Sequence, residues 1–210
     1  MQKKMYKTEQ EEFWAGEFGN EYQNRNNGDI LLAGILNFLS NALKRTDRIK
    51  SCIEFGSNIG LNLKGLKLLY PNIELSAIEI NKKAISSLKK VVSKDEIFQG
   101  SILDYTTNKK FELTLIKGVL IHINPDELNK VYKKLVESTN RYLLVAEYYN
   151  PTPVSVSYRG NSDKLFKRDF AGEIMDQYKE MRLIDYGFNY HRDRTHKLDD
   201  ITWFLMEKIK

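Results

Sequence analysis

The segment Glu54-Phe-Gly56-Ser-Asn58-Ile-Gly60-Leu-Asn62 combines an acid with two glycines in G-x-x-x-G spacing. Glycines in such a turn let a ligand approach the backbone where a side chain would block it, and the amides opening the next helix face that ligand. A pyrophosphate turn is spaced G-x-G-x-x-G. Here Glu54 would repel phosphate, and it suits a cation by accepting hydrogen bonds from an ammonium, directly or through water. Glu79, with Ile80 beside it, follows Gly60 by 19 residues and is placed to accept from both hydroxyls of a ribose. Gly100-Ser101-Ile102-Leu103-Asp104 offers a backbone or hydroxyl donor, an apolar face and an acid, a set that suits adenine with its exocyclic amine. Lys117-Gly118-Val-Leu-Ile-His122 would lie over the far end of the same ligand.

These groups act together only if the chain brings them to one edge, and the order of elements does that. Residues 29–44 carry a broad apolar helical face, with Asn27 or Asp29 as its cap. Residues 49–55 read as a buried strand, 61–70 as a helix stopping before Pro71, 73–80 as a strand and 82–92 as a helix. Short strands follow at 96–99, 111–120 and 141–148, and Asn124-Pro125-Asp-Glu opens the helix between the last two. Alternation of this kind predicts βαβ units and a parallel sheet with helices on both faces. After residue 150 the pattern breaks. A polar, aromatic segment (151–170) leads to a helix near 171–178, then to strands at 181–190 and 200–208 with no helix between them. Those two strands predict an antiparallel hairpin at the sheet edge. The expected architecture is an α/β, Rossmann-like methyltransferase sheet of seven strands. Residues 29–210 form its single domain, 1–28 a lid or cap, and 150–180 an insertion at the acceptor site.

In that sheet Glu54, the glycine turn, Glu79, Ser101 and Lys117-Gly118 all fall at strand C-termini, the edge where open α/β sheets bind ligands. An acid for an ammonium, an acid for a ribose and a niche for adenine together describe S-adenosyl-L-methionine. Cofactor contacts are therefore expected from Glu54, Gly56, Asn58, Gly60, Asn62, Glu79, Ile80, Ser101, Ile102, Lys117, Gly118 and His122. Trp14 and Tyr22, in an aromatic stretch ahead of the core, are also expected to bind the cofactor, as a lid that excludes water over its methionine end, with Arg25 and Asn26 as carboxylate contacts. Packing against the core is the alternative for both aromatics.

Methyl transfer requires an aligned acceptor and, for a hydroxyl or ammonium, a group to take its proton. His122 has a side chain suited to general-base work, although it could instead cap the next helix or touch the cofactor. Tyr149 and His191 are the other catalytic candidates. Tyr148, Tyr149, Asn150, Tyr158, Arg159, Lys167 and Arg168 interleave aromatics, bases and an amide, a lining that fits an anionic, hydroxyl-rich acceptor because Arg holds a carboxylate by two parallel bonds. The alternative for each base is an ordinary solvated face. His196 reads as a surface residue, and no set of residues suggests a metal site.

The composition, 41% hydrophobic and 29% charged, is that of a globular domain rather than a disordered chain. Cys52 is the only cysteine, which excludes disulfide scaffolds and cysteine-based zinc sites and makes a reducing cytoplasm the expected compartment. No apolar run approaches a membrane span, and the charged start, Met1 to Lys7, lacks the apolar segment of a secretory signal. The net charge of +5 would by itself suggest nucleic acid. Much of the excess is in Lys82, Lys83, Lys89, Lys90, Lys94 and the pairs 109–110 and 133–134, spread over helix faces and turns without aromatics. That distribution disfavours a polyanion and leaves a small anionic partner as the expectation.

Longer motifs carry a resemblance. They are 8–19 (TEQEEFWAGEFG), 54–62, 115–126 (LIKGVLIHINPD), 146–153 (AEYYNPTP), 158–160, 165–172 (LFKRDFAG) and 199–204 (DDITWF). In these the chain resembles the class I S-adenosylmethionine-dependent methyltransferases and, among them, the small bacterial group of pseudaminic acid biosynthesis-associated methylases. The resemblance implies methyl transfer to oxygen or nitrogen of a small polar, anionic metabolite in a nonulosonic or surface-glycan sugar pathway. A peptide or modified amino acid of natural-product biosynthesis is the alternative acceptor, nucleic acid a further one, and a non-catalytic module on the same fold a third reading. Asn150-Pro-Thr-Pro153 is superficially similar to the Asn-Pro-Pro-aromatic signature of amino-methyltransferases. It follows the wrong strand and ends Pro-Val, so it is set aside.

Overall fold

A computed structural model describes residues 6–25 and 29–209. In chain order its elements are α1 (Glu9–Ala15), α2 (Glu17–Arg25), α3 (Asp29–Ala42), β1 (Ser51–Phe55), α4 (Leu61–Leu69), β2 (Glu74–Glu79), α5 (Lys82–Leu88), β3 (Ile97–Gln99), β4 (Phe111–Lys117), α6 (Leu128–Ser138) and β5 (Thr139–Glu147). The second part holds β6 (Val154–Tyr158), β7 (Asn161–Lys167), α7 (Phe170–Gln177), β8 (Met181–Asn189) and β9 (Ile201–Lys208). The expected Asn27 cap and Asn26 contact lie outside the described residues, as do the side chains of Arg25 and Asp29.

One seven-stranded sheet runs β3-β2-β1-β4-β5-β9-β8. The first five strands are parallel, and β9 is antiparallel to both β5 and β8. The central strands are buried on both faces, which is why β5 carries the unbroken apolar run Tyr142–Ala146. One face packs Ile35, Phe38 and Leu39 of α3, Leu63 and Leu66 of α4, and Ile85 and Leu88 of α5. The other packs Val131, Tyr132 and Leu135 of α6 with Phe170 and Ile174 of α7. Strand order reverses between β1 and β4, so the crossovers leave opposite ways and open a crevice at the strand C-termini.

Three expectations need correction. The 151–170 segment is not irregular: β6 and β7 form a separate antiparallel two-stranded sheet, so the chain has nine strands among the described residues. Val154-Ser-Val156-Ser-Tyr158 does alternate at period two, and Arg159 and Gly160 close the hairpin with positive φ at both positions (50° and 81°). The alternation gives a weak signal because Val154 and Val156 stay exposed, while Leu165 of β7 and Tyr158 of β6 pack on the core. The Asn124-Pro125 start gives a 3-10 turn first (Pro125–Glu127), with Asn124 accepting from the Asp126 N–H, and α6 begins only at Leu128. Helix α5 ends at Leu88 rather than 92.

Candidate functional site

A cavity of about 550 Å³ opens at the C-terminal ends of β1, β2 and β4, with α1 beside it. That is within the range of about 300–1,000 Å³ found for small-molecule sites. Its floor is the turn after β1. Gly56 has φ +78°, and its N–H and that of Ser57 both donate to the Ile78 carbonyl at 3.0 Å. A Cβ on Gly56 would lie 2.6 Å from Val119 Cγ2, so glycine is required for the β1 and β4 turns to approach this closely. Gly60, at φ +82°, begins α4.

Glu79 ends β2, is 7% exposed, and accepts from the Asn58 N–H at 2.6 Å and the Asn81 N–H at 2.7 Å. Burial raises its pKa against the lowering effect of these donors. It faces the cavity while clamping the glycine turn to β2, so it is both a wall group and a strut.

Glu54 is 1% exposed and does not line the cavity; Asn62 does, and its Nδ2 donates to Glu54 Oε1 at 2.6 Å. Glu54 Oε2 and Asn62 Oδ1 are both buried without a hydrogen-bond partner. The ammonium-binding role expected of Glu54 is thereby corrected: Asn62 stands between it and the cavity. Burial pushes the Glu54 carboxyl up to about 8, against the Asn62 hydrogen bond and the charge of Lys117. Glu147, at the end of β5, accepts from the Val119 and Leu120 N–H groups at 3.0 Å, and burial raises it to about 7. Lys117 is half-buried between these acids, and burial lowers its pKa while Glu54, Asp199 and Glu147 oppose the shift. Gly118 has φ +65°, and no atom lies within 4 Å of where its Cβ would be: here the backbone faces open cavity.

The adenine niche differs in detail from expectation. The Ser101 hydroxyl donates to the buried carboxylate of Glu11 and accepts from the Leu103 N–H, so it is committed within the protein. Asp104 is exposed, binds Lys7, and does not line the cavity. Glu11, the N3 residue of the Thr8 capping box on α1, lines it instead. The Thr8-x-x-Glu11 spacing was legible as a helix start; its reach to residue 101 was not.

Above the far end, Trp14 meets Tyr22 edge-on at 5.2 Å, and its ring centroid is 4.6 Å from that of His122. His122 is 7% exposed and its Nδ1 lies 2.6 Å from the Lys164 carbonyl. Burial pushes its pKa down to about 4, a correction to the expectation of a base poised near neutrality.

Of the remaining candidates, Ile80, Ile102, Tyr148, Tyr158, Arg159 and His191 line the cavity. His191 is exposed at its rim, with Nδ1 2.8 Å from Asp200 Oδ2. Four others do not line it. Tyr149 is exposed and packs against the Phe204 ring at 5.8 Å, since residues past the end of β5 alternate to the other side. Asn150 donates to the Thr152 carbonyl at 2.6 Å. Lys167 and Arg168 border a separate shallow depression beside Pro153; Arg168 pairs with Glu173 at 3.3 Å and Lys167 sits over the Tyr148 ring. The catalytic role of Tyr149 and the acceptor contacts of Asn150, Lys167 and Arg168 are not supported by these positions. Sequence reasoning also passed over Gln10, Asn81, Lys197 and Asp199, which line the cavity.

The sheet order and the site at its switch point define the fold of the class I S-adenosylmethionine-dependent methyltransferases. No protein-family model matches the chain and no curated protein matches it, so the narrower resemblance rests on its motifs alone. Among solved structures, the chain is similar to coclaurine N-methyltransferase bound to N-methylheliamine and S-adenosylhomocysteine, with TM-score 0.71 at 10% identity over 99% of this chain and 84% of that one. It is similar to DesVI of Streptomyces venezuelae, with TM-score 0.64 at 11% identity over 92% and 99% of the two chains. It is also similar to magnesium protoporphyrin IX methyltransferase of Synechocystis PCC 6803 with bound S-adenosylhomocysteine, with TM-score 0.65 at 12% identity over 95% and 97%.

Proposed function

We propose that this protein is an enzyme that moves a methyl group from S-adenosyl-L-methionine to an oxygen or nitrogen of a small polar, anionic metabolite, with a nonulosonic or surface-glycan sugar intermediate as the first acceptor to test. The observation that carries it is a single cavity walled by the ends of successive parallel strands, with Glu79, the glycine turn, Ile102 and open Gly118 all facing in. The residues present fit the cofactor. Glu79 has the position to accept from ribose hydroxyls, Ile80 and Ile102 give apolar faces, and the unpaired Asn62 Oδ1 is an acceptor where an ammonium would be held, with the Glu54 carboxyl behind it. The bound cofactor would supply an electrophilic methyl on a sulfonium. The chain's own work is to orient and to exclude water, which Trp14 and Tyr22 on α1 and α2 are placed to do. Arg159, Lys197 and Lys117 put cationic side chains in the cavity wall, which supports an anionic acceptor. We place the protein in the cytoplasm, consistent with its one buried, unpaired cysteine. We also treat residues 1–28 as its lid.

Titration calorimetry with S-adenosylhomocysteine tests this. Tight binding to the wild type and at least ten-fold weaker binding to Glu79→Ala are expected, since a hydrogen bond to a charged group contributes about 1.5–3 kcal/mol. Absence of binding to the wild type would end the proposal.

A further inference from the structure

Gln10 on α1 has a buried atom that no group of the described chain satisfies. The residue is 7% exposed, its Nε2 donates to the Asp163 carbonyl at 3.0 Å, and its Oε1 has no hydrogen-bond partner. A carbonyl only accepts, so the amide cannot be turned round, and the oxygen is the end left over. The same constraint fixes His122. Its Nδ1 meets the Lys164 carbonyl, so Nδ1 carries the proton and Nε2 the lone pair. Burial favours the neutral ring in which this holds.

The two constraints come from adjacent residues of β7. Successive carbonyls of a regular strand point to opposite sides, yet those of 163 and 164 both reach side chains of the cavity wall. Asp163 has φ +55°, which breaks the alternation at that residue. Gln10 and Trp14 are four apart on α1 and share a face, and the Trp14 ring lies against His122. Glu11, on the neighbouring face, reaches Ser101 instead. Gln10 and His122 are thus tied to neighbouring carbonyls of β7, and both residues line the cavity.

We propose that Gln10 Oε1 and His122 Nε2 form a two-acceptor subsite that selects a ligand group bringing its own hydrogens, a hydroxyl or an amine, and rejects a carboxylate at that point. This rests on the methyltransferase reading and deepens it. The subsite would hold the atom that is methylated, and the acceptor's anionic part would face the cationic side chains of Arg159 and Lys197. Gln10 is then a specificity-determining residue, reading donors without taking a proton.

Nitrogen NMR on histidine-labelled protein tests the pair, with His122 assigned by a His122→Phe variant. The expected state is a neutral ring protonated on Nδ1 at pH 7, and an Nε2-protonated ring would overturn the proposal. Methylammonium, which only donates, and acetate, which only accepts, then serve as probes, with and without S-adenosylhomocysteine. Methylammonium should shift the Nε2 signal and bind about five-fold more weakly to Gln10→Leu, whereas acetate should leave that signal unmoved. Equal methylammonium affinity in Gln10→Leu, or a response to acetate alone, would overturn it. So would a five-fold loss of S-adenosylhomocysteine affinity in Gln10→Leu, which would assign the oxygen to the cofactor. If S-adenosylhomocysteine binds nowhere, the methyltransferase reading fails separately, and the tautomer and probe results on the bare protein still decide the pair.

Discussion

Glu54 is a carboxyl that water cannot reach, kept mostly protonated at pH 7 by its burial, with Asn62 as a hydrogen-bonded outlet toward the cavity. A cationic ligand group beside Asn62 would favour the charged form, so binding should expel a proton from Glu54. The sign follows from the raised pKa. Below about 8 the free protein must lose that proton to bind, so affinity for S-adenosylhomocysteine should rise between pH 6 and 8.5 and then level off. Calorimetry in buffers of different ionisation enthalpy would reveal the released proton, and Glu54→Gln should remove it. Buffer-independent heats in the wild type would contradict this assignment. His122 differs from Glu54 in that burial holds it neutral down to about pH 4, so a rate profile with a break near 6.5 would have to come from another group.

The turns after β1 and β4 do opposite things with their glycines. Gly56→Ala should cost stability, about 1–2 kcal/mol for a left-handed alanine and roughly 1–3 kcal/mol for the overlap with Val119. A thermal melt should show a drop of about 5 °C or more. Gly118→Ala meets no neighbour and carries only the left-handed cost of about 1–2 kcal/mol, so it should leave stability closer to wild type and weaken S-adenosylhomocysteine binding by placing a methyl group in the cavity. Equal effects of both variants on melting and on binding would contradict this division. At this scale much was legible in the sequence. The G-x-x-x-G turn, the Glu79 spacing and the parallel order are local or periodic, and they recur in the structure at nearly the expected residues. Less legible were contacts made across the fold, such as Glu11 to Ser101, Gln10 to Asp163 and Glu147 to the 119–120 amides. Spacing along the chain does not encode these. Tyr149, Asn150, Lys167 and Arg168 were drawn toward the site by sequence proximity, but strand alternation and the unrecognised β6–β7 hairpin turn them elsewhere.

For the whole molecule, buried acids make the folded state bind protons that the unfolded chain has already lost. Glu54 and Glu147 have folded pKa values of about 8 and 7, above their ordinary 4.5, so their burial is penalised increasingly as pH rises toward those values. His122, shifted down from 6.5 to about 4, acts in the opposite sense below 6.5. Between pH 6.5 and 8 the two acids outweigh the small remaining opposite effect of His122, and the ligand-free protein should lose about 2 kcal/mol, a fall of several degrees in melting temperature. Glu54→Gln should flatten that slope, and a melting temperature that rises over the same interval would contradict the account.

The contact between the Trp14 and His122 rings has an optical consequence. The chain has two tryptophans, and Trp203, 4% exposed in the sheet, should emit as a nearly constant background. Trp14 borders the cavity, so ligand entry should change the emission of this one indole, giving an unlabelled titration signal that disappears in Trp14→Phe.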